Sequence, residues 1–130
     1  MDPDRGQVLA TGPLTDDIGQ ALGGYGRVAL VTTTGRRSGR PRTVALGFVS
    51  EPDGAILVAA TEQGAAWARN LEAEPRCAVV IGDRRFAAVA EPLERSDHIH
   101  AVRELILRYG TPSEGLGRGP SFRLRPSVVD

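Results

Sequence analysis

Short runs of apolar and β-branched residues, separated by glycine, proline and aspartate, dominate this chain. Runs of this length between turn residues are typical of β-strands. They predict six strands, over residues 27–33, 42–50, 55–60, 76–81, 84–91 and 121–125. The first three strands form a predicted antiparallel meander. The two-residue turn Gly82-Asp83 makes the fourth and fifth strands a predicted hairpin.

A helix is predicted over residues 65–74, which are rich in helix-forming residues. Trp67, Asn70 and Leu71 recur there at the spacing of one helical face. Because Trp67 is the single tryptophan of the chain, two interpretations are open for it. It either anchors the core or contacts the ring of a cofactor.

A longer helix is predicted over residues 97–109, directly after Ser96, a favoured helix-capping residue. Its apolar stripe consists of Ile99, Val102, Leu105, Ile106 and Tyr109. A third, short helix is predicted over residues 16–22. Strands outnumber helices, which indicates a mainly β (α+β) fold, a small antiparallel barrel or sheet with two to three packed helices.

The 130 residues suit one domain, and neither a repeat nor a domain boundary is visible. The prediction is a single domain over residues 1–130, with residues 1–14 flexible because glycine and proline punctuate them. No apolar run approaches the roughly 18–20 residues of a membrane helix, and no basic start precedes an apolar stretch. We therefore expect a cytoplasmic protein without a transmembrane segment.

Sixteen basic and sixteen acidic residues balance, with an isoelectric point near 6.7. This balance argues against a dedicated nucleic-acid-binding protein. Every basic residue is an arginine, which excludes lysine chemistry such as a Schiff base. The single Cys77 excludes an internal disulfide and a multi-cysteine metal site. His98 and His100 point to different faces of a helix, so no metal site is expected.

The chemistry-bearing residues concentrate between the first two predicted strands, in the segment TTTGRRSGRPRT at residues 32–43. Four arginines fall within seven residues there: Arg36, Arg37, Arg40 and Arg42. Thr34 and Ser38 add hydroxyl groups, and Gly39 allows the backbone to come close to a ligand. Arginine binds phosphate and carboxylate bidentately, so one interpretation is an anion site. An ordinary solvated turn in an arginine-rich protein is the other.

The segment at residues 32–43, together with W-x-x-N-L-x-x-x-P at residues 67–75, resembles the deazaflavin-dependent nitroreductase and quinone reductase family. The similarity runs over roughly residues 28–91. It implies a six-stranded antiparallel split β-barrel related to flavin-binding barrels. It also implies an oxidoreductase that transfers a hydride from reduced coenzyme F420, an 8-hydroxy-5-deazaflavin, to a small organic acceptor of the quinone, nitro or enone type.

The resemblance also implies roles for individual residues. The residues that correspond to the grip on the cofactor's phosphate and tail are Thr34, Arg36, Arg37, Ser38, Gly39 and Arg42. The residues that correspond to the ring site are Ala59, Ala60 and Thr61 at a strand end, and Trp67, Asn70 and Leu71 on the helix above it. Tyr109 is implied as a catalytic proton donor, with core packing as the alternative.

Other functions remain open beside this one. One is an FMN-binding split-barrel oxidoreductase, and another is a non-catalytic cofactor-binding or storage protein. An RNA-binding module is disfavoured by the neutral charge and the small number of aromatic residues. The carboxylates of the deazaflavin tail suit the arginine turn with Arg69 and Arg76 beyond it, although Glu62 would repel them. The expected partners are a small-molecule electron acceptor and, as in many flavin split barrels, a second copy of the chain in a homodimer.

Overall fold

The computed structural model describes residues 28–109 and 118–127. The elements of this part are β1 (Ala29–Thr34), β2 (Pro41–Leu46), β3 (Val49–Ser50), β4 (Ile56–Ala59), α1 (Ala66–Ala73), β5 (Arg76–Ile81), β6 (Arg84–Pro92), α2 (Arg95–Tyr109) and β7 (Ser121–Pro126). The helix predicted over residues 16–22 and the flexible stretch predicted over residues 1–14 lie outside the described residues.

The strands form one antiparallel sheet in the order β2-β1-β5-β6-β7-β4-β3, which curls into a half barrel. This confirms the mainly β, antiparallel prediction with helices packed on the sheet. The described residues contain seven strands rather than six, because the strand predicted over residues 42–50 is divided into β2 and β3. The predicted hairpin is also observed, with Ile81 opposite Arg84 across the turn.

The antiparallel pairing predicted for the first three strands is observed, but it is shared between the two halves of the broken second strand. β2 pairs with β1, whereas β4 pairs with β3 and β7 on the far side of the sheet. The chain leaves β2 at Gly47 and Phe48, where the ring of Tyr109 packs directly on the glycine. A Cβ atom at position 47 would lie 2.9 Å from Cε2 of Tyr109. A contact from α2 therefore accompanies the break that separates β2 from β3.

The core lies between the concave side of the sheet and α1. β4 is buried along its whole length, because the core covers one of its faces and α2 packs against it. From α1, Trp67, Ala68 and Leu71 enter the core. Trp67 packs edge-to-face on Phe122 of β7, with ring centroids 5.9 Å apart. The helix is thus held to the barrel by its apolar face.

α2 packs on the sheet through a narrower face than the sequence indicates. It begins at Arg95, so Ser96 lies inside the helix rather than at its cap. Its buried residues are Ala101 and Leu105, while Ile99 of the predicted stripe is 49% exposed. Val102, Ile106 and Tyr109 are half-buried, so the fully buried face of α2 is narrower than the predicted stripe. In the described part of the chain, neither helix is long and apolar enough to cross a membrane.

The strand directions collect several loops at one end of the sheet. β1 ends there, and the chain turns into β2. Because neighbouring strands are antiparallel, β4 and β6 also end there, and β5 and β7 begin there. α1 connects the end of β4 to the start of β5, so it lies across this end of the barrel. The turn between β1 and β2 and the helix α1 are therefore neighbours.

Candidate functional site

The turn between β1 and β2, residues 35–40, is closed by its own hydrogen bonds. The N–H of Gly35 donates to the carbonyl of Arg40 over 2.8 Å, and the N–H of Gly39 donates to the carbonyl of Gly35 over 2.8 Å. Gly39 has φ = +72°, a conformation that favours glycine. Ser38 Oγ accepts from the N–H of Arg40 at 3.1 Å. This arrangement leaves the hydroxyl proton of Ser38 available to a ligand.

Asn70 of α1 ties this turn to the barrel. Its Oδ1 accepts from the backbone N–H of Arg36 at 3.2 Å and from Nη1 of Arg36 at 3.0 Å. Its Nδ2 donates to Oγ1 of Thr33 at 3.1 Å. Asn70 is 4% exposed and Thr33 is 2% exposed. A buried amide that is satisfied on both sides is a strong positional constraint, so Asn70 sets where Arg36 lies.

The positive charge of the turn is not compensated by the described part of the chain. We call Arg36, Arg37, Arg40 and Arg42 the arginine turn; all four are exposed. None of them forms an ion pair with a described residue, although Arg123 and Arg125 are ion-paired. The partner of Arg36 is a neutral amide. An exposed cluster of arginine forks without carboxylates has the chemistry of an anion site.

Arg76 does not extend this cluster. Its guanidinium binds Glu74 through two nitrogens, at 3.1 and 3.0 Å. This contact lowers the pKa of Glu74 to about 2 and raises the pKa of Arg76. Whether Arg76 also contacts a polyanion stays a prediction. Its charge already has a partner two residues away.

The predicted ring-site residues share the end of the barrel at which the arginine turn lies, but most are packed into the core. Ala59, Ala60, Trp67 and Leu71 are all buried. The N–H of Ala60 donates to the carbonyl of Pro120 at 2.8 Å. Burial against Phe122 is the environment that the core-anchor interpretation of Trp67 requires. Contact of these side chains with a cofactor ring stays a prediction.

Thr61 and Thr34 complete the set of predicted binding residues. Both are exposed at the strand ends, Thr61 after β4 and Thr34 at the end of β1. Of the predicted binding residues, Arg36 and Asn70 make a direct mutual contact. Asn70 also donates to the buried Thr33, which the sequence analysis did not single out. Three threonines in a row gave no signal as to which of them would be buried.

Tyr109 lies far from the arginine turn. Its hydroxyl accepts from the N–H of Phe48 at 3.1 Å and is 3.4 Å from the carbonyl of the same residue. Phe48 lies just beyond the last residue of β2, whereas the arginine turn precedes the first. The two are roughly 17 Å apart along the strand. This geometry fits the interpretation that Tyr109 packs in the core. A catalytic role for Tyr109 stays a prediction.

Another group of residues that the sequence analysis did not bring together lines a cleft of about 570 Å³ beside α1. It includes Arg69, Arg95, His98 and Arg118. These residues come from three separate segments, so no local motif marks them. The described residues contain no cluster of three or more histidine, cysteine or acidic side chains that could hold a metal ion.

Comparisons with known proteins identify the family of the chain. A profile of the F420H(2)-dependent quinone reductase family matches residues 5–111. A curated F420H(2)-dependent quinone reductase of Mycobacterium tuberculosis (strain ATCC 25618 / H37Rv) is 30% identical over 87 residues, which are 65% of this chain and 58% of that protein. The chain therefore spans less than two thirds of the length of this curated relative.

Two solved structures are also similar. One, described as an F420-H2 dependent reductase, has 28% identity and a TM-score of 0.65, and the match covers 76% of this chain and 94% of that one. The other, described as a domain-swapped dimer, has 28% identity and a TM-score of 0.64, covering 76% and 80%. The family profile spans most of the chain, and the half-barrel sheet agrees with the split-barrel fold that the motifs imply. This chain belongs to the F420H(2)-dependent quinone reductase family.

Proposed function

We propose that this protein is an oxidoreductase that transfers a hydride from reduced coenzyme F420 to a small organic acceptor of the quinone, nitro or enone type. The observation that carries the proposal is the arginine turn. Its positive charge is not compensated by any described carboxylate, and the buried Asn70 anchors it. The family of the chain and the names of its relatives support the same reaction.

The anionic end of the coenzyme fits the arginine turn. Arg37 and Arg42 present exposed guanidinium groups, and Arg36 is held in place by Asn70. Ser38 retains a hydroxyl proton to donate. These groups would hold the phosphate and the carboxylates of the tail through charge-assisted hydrogen bonds. The bound coenzyme supplies the hydride, and the chain supplies its position.

Hydride transfer requires positioning and exclusion of water more than an acid–base pair. α1 serves both needs, because Asn70 orders the arginine turn while Trp67 and Leu71 keep this end of the barrel packed. The acceptor would bind at the end of the barrel where the arginine turn and α1 lie.

We also propose that the protein works as a homodimer. β2 and β3 are the two edges of the described sheet, and exposed edge strands favour pairing with another chain. A solved relative that is 28% identical is a domain-swapped dimer. A sedimentation measurement that gives a monomer at assay concentrations would contradict this part of the proposal.

The test is an anaerobic assay of the purified protein with reduced coenzyme F420 and a series of acceptors: a quinone, a nitroimidazole and a cyclic enone. The oxidised coenzyme is detected by its visible absorbance. We expect oxidation that depends on both protein and acceptor, with a raised KM for the coenzyme in Arg37→Glu. Arg85→Glu, exposed on β6 and outside the arginine turn, is the matched control. Tight binding without oxidation by any acceptor would favour a storage protein instead.

A further inference from the structure

A second group of arginines lies on a different side of α1 from the arginine turn. Asn70 contacts the turn, whereas its neighbour Arg69 faces a cleft together with Arg95 and Arg118. Successive residues of a helix point about 100° apart, and the lining of the cleft contains no residue of the arginine turn. We call this space the α1–α2 cleft. Its remaining lining residues are Gln63, Glu72, His98, Gly119 and Pro120.

The walls of the α1–α2 cleft are fixed by contacts with the barrel. A Cβ atom at position 119 would lie 2.8 Å from the carbonyl oxygen of Ala60, so this backbone approach requires glycine. The carbonyl of Pro120 accepts from the N–H of Ala60 at 2.8 Å. On the α2 side, Nδ1 of His98 is hydrogen-bonded to Oγ of the buried Ser121 at 2.6 Å. Arg95 and Arg118 therefore stand on anchored backbone.

The charge of the α1–α2 cleft is strongly one-sided. Arg69, Arg95 and Arg118 form no ion pair within the described part of the chain. Glu72 is the one acidic side chain among the lining residues, so two positive charges stay uncompensated. A volume of about 570 Å³ falls in the range of organic ligands rather than that of a bare ion. Arginine forks match carboxylate and phosphate oxygens.

We propose that the α1–α2 cleft is a second anion site, which binds a small organic dianion, either a phosphate monoester or a dicarboxylate. The site is separate from the arginine turn and does not depend on the function proposed for that turn. Gln63 and His98 add further hydrogen-bonding groups to the lining, which suit an organic anion.

The test uses the full chain with Arg36→Gln and Arg37→Gln, which weakens the arginine turn so that the α1–α2 cleft is observed alone. Isothermal titration calorimetry measures glycerol 3-phosphate, succinate and uncharged glycerol in turn. We expect saturable binding of one equivalent of a dianion and no binding of glycerol. The dianion that binds more tightly identifies the class of ligand.

Further variants in this background assign the binding to the cleft. Arg118→Gln and Arg69→Gln should each lower the affinity for the dianion at least tenfold. Glu72→Gln should raise that affinity about fivefold, because it removes a repulsive charge. A gain in affinity cannot result from misfolding. Arg103→Gln, on α2 but outside the cleft, should stay within twofold. Absence of dianion binding, or binding that ignores Arg69, Glu72 and Arg118, would overturn the proposal and leave the arginine turn unaffected.

Discussion

Replacement of Asn70 should separate the stability of the barrel from the binding power of the arginine turn. In Asn70→Ala the hydroxyl of Thr33 loses the side-chain amide that donates to it, and Thr33 is only 2% exposed. Arg36 loses two hydrogen bonds. An unsatisfied buried polar group costs about 1–3 kcal/mol, and the small cavity left by the amide adds to this. We expect a loss of about 2–4 kcal/mol in the free energy of unfolding.

Asn70→Asp is the informative counterpart. A carboxylate can accept from Arg36 and from the hydroxyl of Thr33, so the hydrogen bonds of the turn persist. The new negative charge pairs with Arg36, however, and one positive charge of the arginine turn is neutralised. We expect a smaller loss of stability than in Asn70→Ala, together with coenzyme affinity lower by about tenfold, or roughly 1.4 kcal/mol.

Urea denaturation measures the first quantity, and equilibrium titration with coenzyme F420 measures the second. Gln63→Ala, an exposed amide at the same end of the barrel, is the control and should change stability by less than about 0.5 kcal/mol. If Asn70→Ala cost no more than this control, Asn70 would not anchor the turn. If Asn70→Asp bound the coenzyme as tightly as the unaltered protein, the charge of Arg36 would not contribute to binding.

Arg37→Gln and Arg42→Gln should each weaken coenzyme F420 about tenfold in a titration, with almost no change in Tm because both side chains are exposed. Tyr109→Phe should lower the free energy of unfolding by about 1 kcal/mol through loss of the bond to Phe48, with turnover unchanged; a fall in kcat of about 100-fold at constant stability would instead establish the catalytic role. Burial raises the pKa of the Cys77 thiol to about 11 from an ordinary 9.0, so stability should be intact below pH 9 and fall by about 2 kcal/mol as the pH rises to 11. Cys77→Ala should remove that decline, and an unchanged decline would show that Cys77 is not its source.

Local signals in the sequence predicted most elements of the fold. The β-branched runs identified the strands, and Gly82-Asp83 identified the hairpin between β5 and β6. α1 was predicted to within a residue at each end, because glycine and proline flank a run of helix formers. Each of these elements is determined by residues that are adjacent in the chain, so local sequence patterns predict it.

The pairing of distant segments was beyond such signals. The division of one predicted strand into β2 and β3 involves Tyr109, which is remote in sequence and packs on Gly47. The placement of β4 beside β7 rather than β2 depends on that division. For α2, the apolar spacing could not show that the small Ala101, rather than Ile99, would face the sheet.

The candidate site was predicted in part for the same reason. The four arginines of one turn are local and were identified together, and the motif resemblance named the family. The hydrogen bonds of Asn70 to Arg36 and to Thr33 join segments far apart in the chain, so spacing alone did not indicate them. The α1–α2 cleft draws its arginines from three segments and had no sequence signal.

The central claim, that the arginine turn holds the anionic end of coenzyme F420, is tested most directly by paired titrations with coenzyme F420 and FMN at low and high salt. The tail of the deazaflavin coenzyme carries carboxylates that FMN lacks, so it should engage more of the arginines. We expect tighter binding of coenzyme F420 at low salt and a steeper loss of its affinity as salt screens the charge pairs. Equal affinities for the two cofactors, or an affinity for coenzyme F420 that ignores salt, would contradict the account.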